Sequence, residues 1–240
     1  MEIEDRSQDC VHPVSEDQSI WHYRQFAEFV SILQVPILHK GKGKLWFSRL
    51  DQLRDPFEGR SALARKSEFF AKAEAHTRSG CVSCWTIGEC ESELMWYAYA
   101  PNWGVGIRST KGKLKAALGQ ANVSKIVINR VTYEDVPVKR STLSEEKRLR
   151  AYPEVFRKAR HFQGEEELRA FIPPEELCAF GAGYRGKLVE VDLRVLLSEV
   201  WVAPTAPEWF EAVVRTELEK YGYQTVPVKS RETILADENG

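Results

Sequence analysis

Short apolar runs of two periodicities alternate along this chain. Ile20 to Arg24 (IWHYR) is β-type. Phe26, Phe29, Val30 and Leu33 then recur at helical spacing until Pro36 stops the helix. After the loop HKGKGK, Leu45 to Arg49 (LWFSR) predicts a second strand, and the charged, alanine-rich stretch 60–78 a helix. Residues 80–86 (GCVSCWT) read as a strand leaving a glycine turn, Glu91 to Tyr99 as a helix, Gly104 to Ser109 as a strand and 111–118 as a helix. There follow a β-branched strand over Lys125 to Tyr133, a charged helix over 143–160, and strands at Leu168 to Ile172 and Lys187 to Val191. The last stretch is the plainest. A strand at Val200 to Ala203 leads into a helix entered at Pro207, with Phe210, Val213, Val214, Leu218 and Tyr221 on its apolar side. Gly222 caps that helix before a strand at Gln224 to Lys229, which makes a β-α-β unit. No linker precedes it, so it should pack on the preceding strands.

The irregular alternation predicts the α+β class, mixed α/β: a single domain over 19–232, with a central, mostly antiparallel or split sheet flanked by helices. Residues 1–18 and 233–240 read as flexible tails. With 240 residues, 43% of them apolar and 29% charged, the chain is long enough for a substantial core. A net charge of −1 supplies no global field for nucleic acid or an anionic membrane. No apolar run approaches the roughly 18 residues that span a bilayer. The acidic N-terminus lacks the basic and apolar regions of a signal peptide, which predicts a cytoplasmic protein with no membrane partner. The five cysteines (Cys10, Cys81, Cys84, Cys90, Cys178) are odd in number and clustered, unlike a disulfide framework.

Four stretches carry candidate chemistry. Asp55-Pro56-Phe57-Glu58-Gly59 reads as a turn and helix cap, or as an acidic loop lining a pocket with Phe57 buried and Glu58 accepting a hydrogen bond. Asp51, Asp55 and Glu58 match no established metal loop, and no metal is predicted. Cys81-x-x-Cys84 with Cys90 and His76 lacks the second ligand pair of structural zinc, so these are read as buried thiols. Met95-Trp96-Tyr97-x-Tyr99, with Trp85 and Trp103, is a core cluster or a wall for a planar ring. In Lys158 to Arg169 (KARHFQGEEELR), Glu165 and Glu167 are two apart at a strand start, which predicts opposite faces. The alternative there is a solvated charge run.

In order, these segments resemble one family, the bacterial domains of unknown function numbered 2971. The pattern is Trp21-His22-Tyr23-Arg24, then Phe47-Ser48, D-P-F-E-G at Asp55 to Gly59, Ser83-Cys84-Trp85, M-W-x-x-Y at Met95 to Tyr99, and G-x-x-I at Gly104 to Ile107. It closes on K-x3-F-x2-E-x-E-x-R at Lys158, Phe162, Glu165, Glu167 and Arg169. The resemblance covers about residues 20–230 and implies a fold without an activity.

The same order also resembles the ADP-ribosyltransferase superfamily. That resemblance implies an NAD-consuming enzyme, a bacterial toxin or anti-phage effector transferring ADP-ribose to an unidentified nucleic acid or protein. His22, Tyr23 and Arg24 would hold the NAD ribose or phosphate, with Ser48 and Ser83 supporting the site. Trp96 or Tyr99 would stack the nicotinamide, Glu167 or Glu165 would be catalytic, and Arg169 would neutralise a neighbouring carboxylate. Breaking the nicotinamide–ribose bond builds oxocarbenium charge that a fixed carboxylate stabilises. The contrasting expectation is a non-catalytic nucleotide- or protein-binding module of a bacterial defence or stress system. The oligomeric state is not legible.

Overall fold

The computed structural model of the protein describes residues 1–8, 12–34, 41–53, 55, 58–60, 68–135, 152–180 and 184–231. The class is α+β, with strands of both directions. The chain forms two compact units, each drawn from three stretches. The first comprises Met1–Pro13, Trp46–Cys84 and Val123–Val189, and the second Val14–Leu45, Trp85–Asn122 and Glu190–Gly240.

The first unit is built on β1 (Glu2–Asp5), β6 (Lys125–Arg130), β9 (Glu167–Ile172) and the start of β4 (Cys81–Ile87), in the order β1-β6-β9-β4. β1 runs parallel to β6, and β6 antiparallel to β9 with Val127 opposite Phe171. The end of β3 (Lys42–Arg49) pairs antiparallel with the first residues of β4, Ser48 opposite Val82. Two short parallel strands, β7 (Thr132–Glu134) and β8 (Arg157–Ala159), form a second sheet. Leu50, Val82, Val127, Tyr152, Val155, Phe156 and Phe171 make an apolar cluster, with Tyr152 and Phe156 both edge-on to Phe171. Helix α2 (Glu68–Arg78) also belongs here.

The second unit centres on β2 (Ser19–Gln25), antiparallel to β5 (Gly104–Thr110) over its whole length. The order is β4-β2-β5-β11-β12, with β11 at Glu199–Val202 and β12 at Val228–Lys229. Its helices are α1 (Phe26–Leu33), α3 (Glu93–Tyr99), α4 (Lys111–Leu118), α5 (Leu193–Leu196) and α6 (Trp209–Lys220). β11 pairs antiparallel with β5 and parallel with β12, so the terminal β-α-β crossover is tied into this unit's strands. Phe210, Val214 and Leu218 are the buried side of α6, and Gly222 takes a left-handed φ of 85° where the helix ends. Trp21, Tyr23, Met95, Trp96, Ala100, Trp201 and Ala203 form the aromatic core. Gly106 belongs to its design, because a Cβ there would come within 2.9 Å of the Trp96 ring. Ser92 caps α3 by accepting from Met95 N–H, and its own N–H donates to Tyr23 Oη at 2.8 Å.

Four expectations are corrected. The predicted N-terminal tail contains β1, whose Glu4 pairs with Arg6 and Lys125. A charged edge strand reads as a tail because its polar side chains hide the β pattern. The strand over 125–133 breaks at the buried Val131, whose N–H donates to Glu167 C=O. Residues 143–151 of the expected helix over 143–160 lie outside the described residues. The remainder is a 3-10 turn at Pro153–Phe156 followed by β8, after Tyr152 in a left-handed conformation. The last strand shortens to Val228–Lys229.

Candidate functional site

Glu167 and Arg169 lie two apart on β9, so both side chains leave one face of the strand. That face is buried and charged. Arg169 Nε donates to Glu167 Oε2 at 2.7 Å and Nη2 to Oε1 at 3.0 Å, while Nη1 donates to Val155 C=O at 2.7 Å. Lys158, from β8, donates to Glu167 Oε1 at 2.9 Å and to Glu165 Oε2 at 2.7 Å. Its ammonium also sits 3.2 Å from Glu58 Oε1 and 4.5 Å from the Phe162 ring centroid. The second Glu58 oxygen, Oε2, forms an ion pair with Arg169 Nη2.

Side-chain exposures are 0% for Arg169, 3% for Glu167, 4% for Glu58, 5% for Lys158 and 12% for Glu165. The acidic turn and the K-x3-F-x2-E-x-E-x-R motif, roughly a hundred residues apart in sequence, therefore meet in one buried ion cluster. Each charged or aromatic position of the second motif is accounted for by it.

The expectation that Glu165 and Glu167 face opposite ways is corrected: residues two apart on a strand share a face, and Glu165 in any case precedes the strand. Glu165 ends a 3-10 segment (Arg160–Glu165), and Glu166 takes a left-handed φ of 43° before the strand begins. That reversal turns both carboxylates onto Lys158. Glu166 itself points to Arg130, at 2.6 Å.

Burial alone would raise the Glu167 carboxyl, but Arg169 and then Lys158 hold it well below the usual carboxylate range. Burial pushes the Glu165 carboxyl up, Lys158 opposes that, and the Glu167 charge reinforces it. Burial would lower Lys158 and Arg169, yet Glu167 and then Glu58 keep both firmly cationic. Beside the cluster, burial and the Glu167 charge raise the Cys84 thiol. Tyr133, whose hydroxyl accepts the Glu167 N–H at 2.9 Å, is raised by burial first and by Glu167 second.

A small cleft opens at the cluster, lined by Asp55, Glu58, Arg60, Glu154, Arg157 and Lys158, with room for little more than one water molecule. The Glu58 N–H donates to Asp55 C=O, which forms the expected turn. Pro56 and Phe57 lie outside the described residues. Asp51 is engaged by Arg49, whose Nε lies 3.0 Å from it. Among the described residues no three His, Cys, Asp or Glu side chains are grouped to hold a metal ion. The Cys81 thiol is pushed up to about 12 by burial, and His76 lies 3.2 Å from Glu175.

Of the remaining candidates, Ser83 is buried in β4 and Ser48 is half-buried in β3, both in the first unit. His22, Tyr23, Arg24, Trp96 and Tyr99 belong to the second unit. There His22, 2% exposed, stacks on Trp85 at 4.5 Å and accepts from Arg24 Nε at 2.8 Å, which fixes the guanidinium at its partly exposed position. Trp96 is core, not a stacking wall. It is 4% exposed, edge-on to Tyr23 at 4.9 Å, and donates from Nε1 to Glu91 at 2.6 Å. Tyr99 is partly buried against the same cluster.

Sequence reading placed Lys158 in the motif but gave it no role in the site, although it is the hub. Its signal was available: a lysine seven residues before Glu165, with an aromatic ring one helical turn on. Nothing in the sequence marks Tyr133 or Arg157. Compared with protein-family models, curated proteins and solved structures, the chain matches none.

Proposed function

We propose that the chain is a non-catalytic nucleotide-binding module. The observation that supports this most is the state of Glu167. A transferase carboxylate has to face the developing cation of its substrate. Here both oxygens are taken by Arg169 and Lys158 in a site 3% exposed. Nucleotide is the favoured ligand class because Arg24 is 25% exposed and oriented by His22, and a guanidinium matches phosphate oxygens through its fork. Titration calorimetry with NAD and with ADP-ribose, run beside an assay for nicotinamide release, tests it. Binding without release, weakened by Arg24→Ala, is the expected result. Nicotinamide release, or no binding of either compound, overturns it.

A second reading is the NAD-dependent ADP-ribosyltransferase-like enzyme, and one observation favours it. Glu165 retains 12% exposure against 3% for Glu167, which leaves it the more solvent-accessible carboxylate of the two. Turnover of NAD that disappears in Glu165→Gln with unchanged melting would put this reading first.

A further inference from the structure

The second unit exposes two tryptophans that touch each other. Trp103 is 45% exposed and Trp209 56%, with ring centroids 5.0 Å apart and planes tilted by 47°. Adjoining exposed aromatic rings are the kind of surface that marks a binding site. Their mounts are firm. Both rings are edge-on to the buried Phe210, at 5.4 Å and 6.3 Å. Trp103 follows Asn102, which takes a left-handed φ of 58°, and the Trp103 C=O accepts the Phe26 N–H at 3.0 Å. Rings held in this way offer a preorganised π surface to solvent.

The sheet register sets this pair beside Arg24. Arg24 of β2 lies opposite Val105 of β5, and Gln25 opposite Gly104. The bond from the Phe26 N–H carries the same pairing one step further, so Trp103 lies two residues from Val105 on the sheet face that carries Arg24. Such diagonal neighbours lie about 7–8 Å apart, within reach of long and aromatic side chains. His22, two residues earlier on that face, accepts from Arg24 Nε and orients the guanidinium.

We infer that Trp103 and Trp209 form a base-stacking subsite, and that its ligand is a purine nucleoside mono- or diphosphate whose phosphate meets Arg24. The inference rests on the nucleotide-binding reading and adds the part of the ligand that an arginine alone does not recognise. A nucleobase is planar and stacks on an indole, and the ribose spans the gap between base and phosphate. A purine covers more of two adjoining indoles than a pyrimidine does. Charge limits the phosphate count. Glu28 Oε2 lies 4.0 Å from Arg24 Nη1, and the exposed Glu208 adjoins Trp209 in the chain. Carboxylates at the rim oppose a longer polyphosphate. The stacking surface is thus separate from Trp96, which is core.

Titration calorimetry on the full chain tests it, with ADP, UDP and pyrophosphate as probes. ADP should bind about tenfold more tightly than pyrophosphate, because stacking adds to the phosphate contact. UDP should fall between the two. Trp209→Ala should remove the advantage of ADP and leave pyrophosphate binding unchanged, whereas Arg24→Ala should weaken both. Trp209→Leu keeps apolar bulk against Phe210 without a ring face and should behave as Trp209→Ala does, so the comparison survives an alanine variant that melts early. ADP that binds no more tightly than pyrophosphate overturns the inference. So does an ADP affinity unchanged in both Trp209 variants, and UDP that binds as tightly as ADP overturns the purine assignment. Each of these results leaves the nucleotide-binding reading standing. If NAD, ADP-ribose and ADP all fail to bind, that reading falls and this inference with it.

Discussion

The two units differ in what is most prominent beside their apolar clusters. The first closes around charge: Lys158 and Arg169 gather Glu58, Glu165 and Glu167 at one face of β9. The second closes around rings: Trp21, Tyr23, Trp96 and Trp201 pack edge-on or stacked across β2, β11 and α3, with hydrogen bonds from Trp21 to Gly88, Trp96 to Glu91, Trp201 to Glu199 and Ser92 to Tyr23. Ring packing is set by area and shape and tolerates changes of pH. An ion cluster depends on every partner being present, because removal of one strands the others in a low-dielectric site. The difference predicts a first unit that fails sharply and a second that weakens by degrees.

The largest effect should come from Arg169→Met. It leaves Glu167 and Glu58 buried with Lys158 alone, and a cost of about 4 kcal/mol is expected, read as a fall in the midpoint of urea unfolding. Trp96→Ala, in the ring core, should cost about 3 kcal/mol and leave the pH dependence of stability unchanged. If both substitutions cost the same and titrate alike, the contrast between the units fails.

Acid separates the units next. Glu167 has a folded value held below its ordinary one, so its contribution is present above the usual carboxylate range and lost as pH falls toward that depressed value. Amide exchange in β9 should therefore accelerate on acidification before exchange in β2 does. The smallest change should be Tyr23→Phe, which removes the acceptor for the Ser92 N–H and keeps the ring. About 1 kcal/mol is expected by thermal unfolding.

Much of this architecture is legible in the sequence, because period and punctuation mark β2, α1, β5, α4, β9 and the α6 crossover. What escapes has physical causes. β1 is acidic at three of its four positions and gains its β character by pairing with β6. The 3-10 segments around β8 are four and six residues long, too short to show a period. In the cluster, the Glu167–Arg169 pairing follows from two-residue spacing on a strand. The convergence of Glu165 does not, because it depends on a left-handed Glu166, a conformation that no glycine announces. The meeting of Glu58 with Lys158 and Arg169 is non-local and follows from tertiary packing alone. In the second unit the aromatic motif admitted a core or a wall, and Gly106 decides for the core by letting Trp96 lie against β5.

The account rests on the two distant motifs forming one charged unit, and a double-mutant cycle between Glu58 and Lys158 tests that most directly. Glu58→Gln, Lys158→Met and the double variant would be compared by urea unfolding. The account predicts a coupling free energy of about 1–3 kcal/mol, with the double variant less damaged than the sum of the single ones. Additive losses, with no coupling beyond about 0.3 kcal/mol, would contradict it.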